Sequence, residues 1–148
     1  MSKLNRICLD FRELNEVLEF PQQTSFTTID EILMKLKGKK VVSLDISSAF
    51  FIIPIQEKDR YKTAFWVNQD AYEFCCLVMG LKSSPYHLVK FMAIAFSQQV
   101  FDKIKATLTP EEQKLLPASF EQMMSAYFDD IFVFRDTFQE LYVALKIL

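Results

Sequence analysis

The sequence is short of the residues that interrupt, crosslink or coordinate. Its 148 residues hold two glycines, five prolines, three cysteines and one histidine. So little glycine and proline excludes collagen-like, linker-like and low-complexity chains, and speaks against disorder. The cysteines, Cys8, Cys75 and Cys76, are odd in number and show no CxxC or Cys/His ligand spacing. This speaks against a zinc site or disulfide framework, and reduced thiols point to an intracellular, cytoplasmic or nuclear setting. His87 has no partner pattern and reads as a helix-surface residue. No stretch approaches the roughly 20 apolar residues that span a bilayer. Met1 to Arg6 lacks the apolar core of a secretory signal. A basic excess is missing too, since the net charge is -2. A free-standing nucleic-acid binder usually carries one, so such binding here relies on a local patch or on parts outside this sequence. What is plentiful is apolar surface: 51% of residues are hydrophobic and 14% aromatic, enough for one domain with a real core. The apolar excess also suits a domain that meets further parts of a larger protein.

Along the chain, Arg6 to Phe11 reads as a strand, and residues 12–26 as irregular with Pro21 as a breaker. Thr28-Ile29-Asp30-Glu31 is a capping-box pattern that opens a helix closed by Gly38. Lys40 to Asp45 is a strand too apolar to be exposed on both faces. Ser47 to Phe51 is one helical turn ending near Pro54. Thr63–Val67 and Tyr72–Val78 read as strands joined by an Asn68-Gln69-Asp70 loop. A helix is expected from Ser84 to about Lys105, with Pro85 in its first turn. Thr109-Pro110-Glu111-Glu112 opens another, which Pro117 ends. Residues 137–148 look helical and stop without a cap, as if the parent chain continues. Helices and hairpins mix without βαβ regularity, which predicts an α+β fold with an antiparallel sheet.

Chemistry concentrates in Tyr127-Phe128-Asp129-Asp130. Hydrophobic runs flank the acidic step on both sides, which predicts two strands and a tight turn. Two charged aspartates at a hairpin tip repel each other. Solvent offsets that if the pair is an exposed polar turn, and a divalent cation does so if it sits in a cleft. Asp45, ending its strand, either caps the next helix through the neighbourhood of Ser47-Ser48 or joins a shared acidic site. Three converging aspartates without a His/Cys cluster would suit two Mg²⁺ or Mn²⁺ ions. Such a pair serves in-line phosphoryl transfer.

Five segments in order carry a resemblance. They are Leu9-Asp10-Phe11-Arg12-Glu13-Leu14-Asn15, Leu44-Asp45-Ile46-Ser47-Ser48-Ala49-Phe50-Phe51, Lys62-Thr63-Ala64-Phe65, Met79-Gly80-Leu81-Lys82-Ser83-Ser84-Pro85, and Tyr127 to Phe134. Together they resemble the fingers–palm core of reverse transcriptases, the RNA-directed DNA polymerases of retroviruses and long-terminal-repeat retrotransposons. The resemblance implies a polymerase palm, an antiparallel sheet flanked by helices, with partial fingers. Residues 1–40 and 55–80 would be fingers, and 41–54 and 81–148 palm. It implies that Asp45, Asp129 and Asp130 are the catalytic, metal-binding triad, with Asp130 the more dispensable. It implies that the Ile46 backbone seats the triphosphate beside the metal. Phe50 matches a steric gate whose ring leaves no room for a 2′-hydroxyl. Arg6 matches a fingers residue that grips nucleotide phosphates. Met79 and Gly80 fall at the nucleotide pocket, and Tyr127 packs against the primer end or within the sheet. Arg12 and Glu13 are expected to pair locally, and Lys62 to be an exposed strand lysine.

The implied partners are an RNA or DNA template-primer, dNTPs, and the thumb and RNase H parts of a parent polyprotein. The isolated chain is expected to polymerise weakly or not at all. The match departs at Met79, which cannot donate the hydrogen bond a glutamine would, and at Val89, where glutamine is usual. The stretch from Ile104 to Met124 reads as an insertion of surface helix. A competing reading is a domesticated, non-catalytic retroelement remnant that serves as an interaction module.

Overall fold

A computed structural model describes residues 9–19 and 27–148. Arg6 and the start of the expected first strand lie outside them. The described residues fall into two compact units, one from positions 9–19 and 48–88, the other from 27–47 and 89–148.

In the first unit the stretch expected to be irregular contains helix α1, Arg12–Val17, and Leu9 to Phe11 form no strand. Arg12 pairs with Asp10, not with Glu13: its Nε donates to both Asp10 carboxylate oxygens at 2.9 Å, and its backbone N–H donates to Oδ1. The Arg12 guanidinium holds the Asp10 carboxyl below the usual carboxylate range. A 3-10 turn at Ala49–Ile52 follows Ser48, whose φ is 59°, and helix α3 spans Glu57–Arg60. Lys62 lies in a second 3-10 turn, Tyr61–Thr63, and bridges to Asp59 at 2.6 Å. The expected strand lysine is therefore a turn residue tied to the preceding helix α3.

The hairpin is shorter than its apolar pattern. Strand β2 is Phe65–Val67 and β3 is Asp70–Tyr72, closed by Asn68-Gln69 because Asn68 accepts φ of 57°. Asp70 is thus a strand residue paired with Val67. Beyond Tyr72 the chain is drawn elsewhere. Phe74 N–H donates to Thr63 Oγ1, and Cys76 bridges Pro54. Phe11, Val78 and Leu81 form the core of this unit, with Leu9, Leu14, Leu18 and Phe74 packed around it.

The second unit holds a three-stranded antiparallel sheet in the order β1-β5-β4, with β1 Lys40–Asp45, β4 Met124–Tyr127 and β5 Asp130–Arg135. Central β5 buries Ile131, Val133 and Phe134, so both of its faces are covered. β1 is an edge strand, and none of its residues is buried. It is exposed on one face only, as its apolar content suggests: Val42 and Leu44 are half-buried, while Val41 stands on the open face at 41% exposure. Helix α2, Ile29–Leu36, starts at the Thr28–Glu31 capping box as expected. Helix α7, Phe138–Lys146, starts at a second such box, Thr137–Glu140, and packs on β5 and β1.

Helix α4 is Ser84–Ala95, and the long helix expected here breaks at Phe96-Ser97, with α5 following at Gln98–Lys105. A continuous helix would point Phe96 and Phe101 about 140° apart. The break lets both rings meet Phe120 edge-on, at 5.3 and 4.9 Å. Helix α6, Pro110–Leu115, opens at a capping box on Thr109, and Lys146 on α7 pairs with its Glu112. The expected surface insertion is therefore only half surface, since Leu116, Phe120 and Met123 are buried. No described helix is long and apolar enough to cross a membrane.

Candidate active site

The acidic hairpin forms as the sequence suggests, one position displaced. Its two loop residues are Phe128 and Asp129, while Asp130 is the first residue of β5, paired with Tyr127. Phe128 has φ of 54° and Asp129 does not share the sign, the pattern of a type II′ rather than a type I′ turn. Glycine is favoured at that first position, so a phenylalanine there holds a strained backbone. The Phe128 ring meets the Tyr127 ring edge-on at 4.8 Å.

Two backbone bonds set the phase of the sheet. Phe134 N–H donates to Met123 O at 2.8 Å, and Ile46 N–H donates to Asp129 O at 2.9 Å. Hydrogen-bonded and non-hydrogen-bonded pairs alternate along an antiparallel ladder. Asp45 and Asp130, Cα partners in the β1–β5 register, therefore form a non-hydrogen-bonded pair. Such a pair brings Cα atoms to about 4.5 Å and side chains close on one face. Tyr127, Asp130 and Asp45 thus form a row across the three strands. Like charges opposed in this way destabilise a ladder unless something neutralises them.

Asp45 and Asp129 are exposed and Asp130 is half-buried. None of the three carboxylates has a hydrogen-bond or ion-pair partner among the described residues. Asp45 therefore does not cap the following turn, although Ser47 and Ser48 stand close in sequence. No group of three or more His, Cys, Asp or Glu side chains is drawn together for a metal ion among the described residues. The fold opposes two carboxylates and hangs a third on the adjoining turn without closing the cluster. The donor set is nonetheless that of a hard divalent cation: carboxylate oxygens only, unengaged, at a charge-repelling strand pair. Ile46 contributes a backbone N–H that fixes the hairpin to the end of β1.

Beside the hairpin the same unit contains a cavity of about 650 Å³, lined in part by Val89, Met92, Phe96, Ser125, Tyr127 and Phe128. The other expected site residues lie in the first unit. Phe50 is half-buried in the 3-10 turn after Ser48. Met79 is 50% exposed, and Gly80 adopts φ of 97°. Arg6 lies outside the described residues. Asn15, which the sequence reading quoted within its first segment and gave no role, hydrogen-bonds the backbone on both sides of Leu81. Its signal was its place in that segment.

The family model described as reverse transcriptase (RNA-dependent DNA polymerase) matches residues 2–148. A retrovirus-related Pol polyprotein from transposon gypsy of Drosophila melanogaster is 41% identical over 80 residues, 53% of this chain and 8% of that protein. The Pol polyprotein from transposon opus of the same organism is 29% identical over 147 residues, 99% of this chain and 13% of that protein. The chain therefore spans about a tenth of the length of these curated relatives. Among solved structures, a foamy viral protease-reverse transcriptase in complex with double-stranded DNA has the same fold. Its TM-score is 0.66 and its identity 20%, over 100% of this chain and 24% of that one.

Proposed function

The chain belongs to the reverse transcriptase family, and from that premise we propose that it forms the fingers–palm core of an RNA-directed DNA polymerase. The reaction is attack by a primer 3′-hydroxyl on the α-phosphate of a dNTP, with pyrophosphate leaving. The observation that carries this reading is the opposition of Asp45 and Asp130, with Asp129 on the adjoining turn.

Asp45, Asp129 and Asp130 are the residues to hold Mg²⁺ or Mn²⁺, with the Ile46 backbone at the triphosphate. A bound pair of such ions supplies charge neutralisation for the transferring phosphoryl group and its leaving group. The residues' own task is positional. The Asp129 carbonyl accepts from Ile46 N–H, which ties the hairpin turn to the strand end that bears Asp45. Tyr127, beside Asp130 in the cross-strand row, offers a ring for the primer terminus. The Phe50 ring fills the space of a 2′-hydroxyl and selects dNTPs, while Arg6 grips triphosphate oxygens. Template-primer binding draws on basic contacts beyond this acidic chain, in the thumb and RNase H parts that a longer polyprotein supplies. The isolated chain therefore extends primers weakly.

Primer extension on a primed RNA template with Mg²⁺ or Mn²⁺ tests the assignment. A longer parent protein that includes this chain incorporates dNTPs, and Asp129→Asn removes that activity; undiminished incorporation by the variant overturns the reading. Phe50→Val admits rNTPs, and unchanged sugar selectivity removes the gate role alone.

A further inference from the structure

The turn Met79-Gly80-Leu81-Lys82 is shaped from outside itself. Asn15, on α1 and 65 residues away in sequence, donates from Nδ2 to Gly80 O at 2.8 Å. Its Oδ1 accepts from Lys82 N–H, also at 2.8 Å. One planar carboxamide therefore takes both backbone groups flanking Leu81, as a neighbouring strand would. Phe11, one residue before α1, presses its ring on the same turn. A methyl built on Gly80 would stand 3.3 Å from Phe11 Cδ2, and φ of 97° already disfavours a side chain there. Leu81 and Val78 are buried against Phe11, with Leu14 alongside. Ser84 Oγ closes the far end by donating to Val78 O at 2.8 Å.

The pattern of what is engaged is informative. The Gly80 carbonyl and the Lys82 N–H face α1 and are occupied. The N–H groups of Met79, Gly80 and Leu81 have no partner among the described residues. Three consecutive amides around a positive-φ glycine form the kind of concavity that receives anionic or polar ligand oxygens.

We propose that Asn15 is a positioning residue for nucleotide binding: its carboxamide fixes the Met79–Lys82 turn so that the Met79, Gly80 and Leu81 amides, which have no partner among the described residues, meet the incoming nucleotide. The inference rests on the polymerase reading for the ligand's identity. The clamp itself rests only on the two hydrogen bonds.

The test uses the ¹⁵N-labelled 148-residue chain, titrated with Mg²⁺–dNTP and read at the amides of residues 79–82. Asn15→Asp keeps the acceptor for Lys82 N–H and loses the donor to Gly80 O. Asn15→Leu loses both. Nucleotide affinity falls by about tenfold in each variant at pH 8, the scale of one or two lost hydrogen bonds. As pH is lowered toward the ordinary carboxyl value of about 4, the Asp variant recovers part of the loss relative to wild type, because the carboxyl takes up a proton and donates to the Gly80 carbonyl again, whereas the Leu variant does not. A role confined to stability would lower the melting temperature and leave both affinity and its pH dependence unchanged. Wild-type affinity in Asn15→Asp overturns the proposal, as does a wild-type chain whose turn amides ignore the nucleotide. If those amides respond while primer extension by a longer parent protein fails, the clamp stands and the polymerase reading falls.

Discussion

Replacing Phe120 with alanine tests whether the stretch from Ile104 to Met124 belongs to the core or decorates it. Phe120 is 2% exposed and meets Phe96 and Phe101 edge-on at 5.3 and 4.9 Å. Truncating a buried phenylalanine costs about 3–5 kcal/mol, through lost transfer energy and the cavity left behind. Each edge-on pair adds about 0.5–1.5 kcal/mol beyond burial, and the wall is aromatic and stiff, so the upper part of that range is expected. For a chain of this size such a loss lowers the melting temperature by roughly 8–20 °C. Urea unfolding monitored by circular dichroism measures it as a shift in midpoint at unchanged slope. Lys114→Ala, at an exposed position of α6, is the control and stays within about 0.5 kcal/mol of wild type. A loss below about 1 kcal/mol for Phe120→Ala would refute the reasoning, because it would mean that α5, the 104–124 stretch and β4 do not share one core.

Two further outcomes follow from charge. Asp45→Asn removes one of two opposed carboxylates, so the metal-free variant melts above wild type, while Mg²⁺ or Mn²⁺ stabilises the wild type and leaves the variant unmoved; thermal melts with and without metal compare them, and equal stabilisation of both would remove Asp45 from the metal site. Burial resists ionisation of Glu140, but hydrogen bonds from Thr137 and the charge of Arg135 outweigh it and hold its carboxyl below the ordinary 4.5. A depressed carboxyl stabilises the fold above its unfolded value, and that contribution is lost as pH falls through the folded value. Denaturant midpoints therefore drop on acidification below about pH 4.5 in the wild type, and less so in Glu140→Gln; parallel curves would discard the assignment.

Features set by local chemistry were legible in the sequence. The Thr28–Glu31 box, the extent of β1, the short turn before Pro54 and the start of α4 come from spacing and capping alone. The same rule would have found Thr137–Glu140, where Thr-x-x-Glu recurs. What the sequence misjudged depends on partners distant in the chain. Leu9 to Phe11 has the composition of a strand, but Asp10 is taken by Arg12 and Phe11 by Val78 and Leu81. Tyr72 to Val78 is apolar enough for a long strand, yet Thr63 and Pro54 claim its backbone. The break at Ser97 answers to Phe120, more than twenty residues on. For the candidate site, the types and neighbourhood of Asp45, Asp129 and Asp130 could be read directly, whereas which two stand opposed could not, because that is a property of register.

Register also bears on the rank of the two hairpin acids. The resemblance makes Asp130 the more dispensable, since it follows the first aspartate of the pair. Strand pairing places Asp130, not Asp129, directly across from Asp45, in a position where side chains approach closely. Asp129 lies in the turn, and its backbone carbonyl is already tied to Ile46. A cation drawn in by repulsion between opposed carboxylates would therefore engage Asp45 and Asp130 first, with Asp129 completing the set as the strained Phe128 turn adjusts. On that ground Asp130→Asn weakens Mn²⁺ binding to the 148-residue chain, measured by calorimetry, at least as much as Asp129→Asn does. A variant at Asp130 that binds Mn²⁺ like the wild type would show that the turn, not the strand pair, organises the metal.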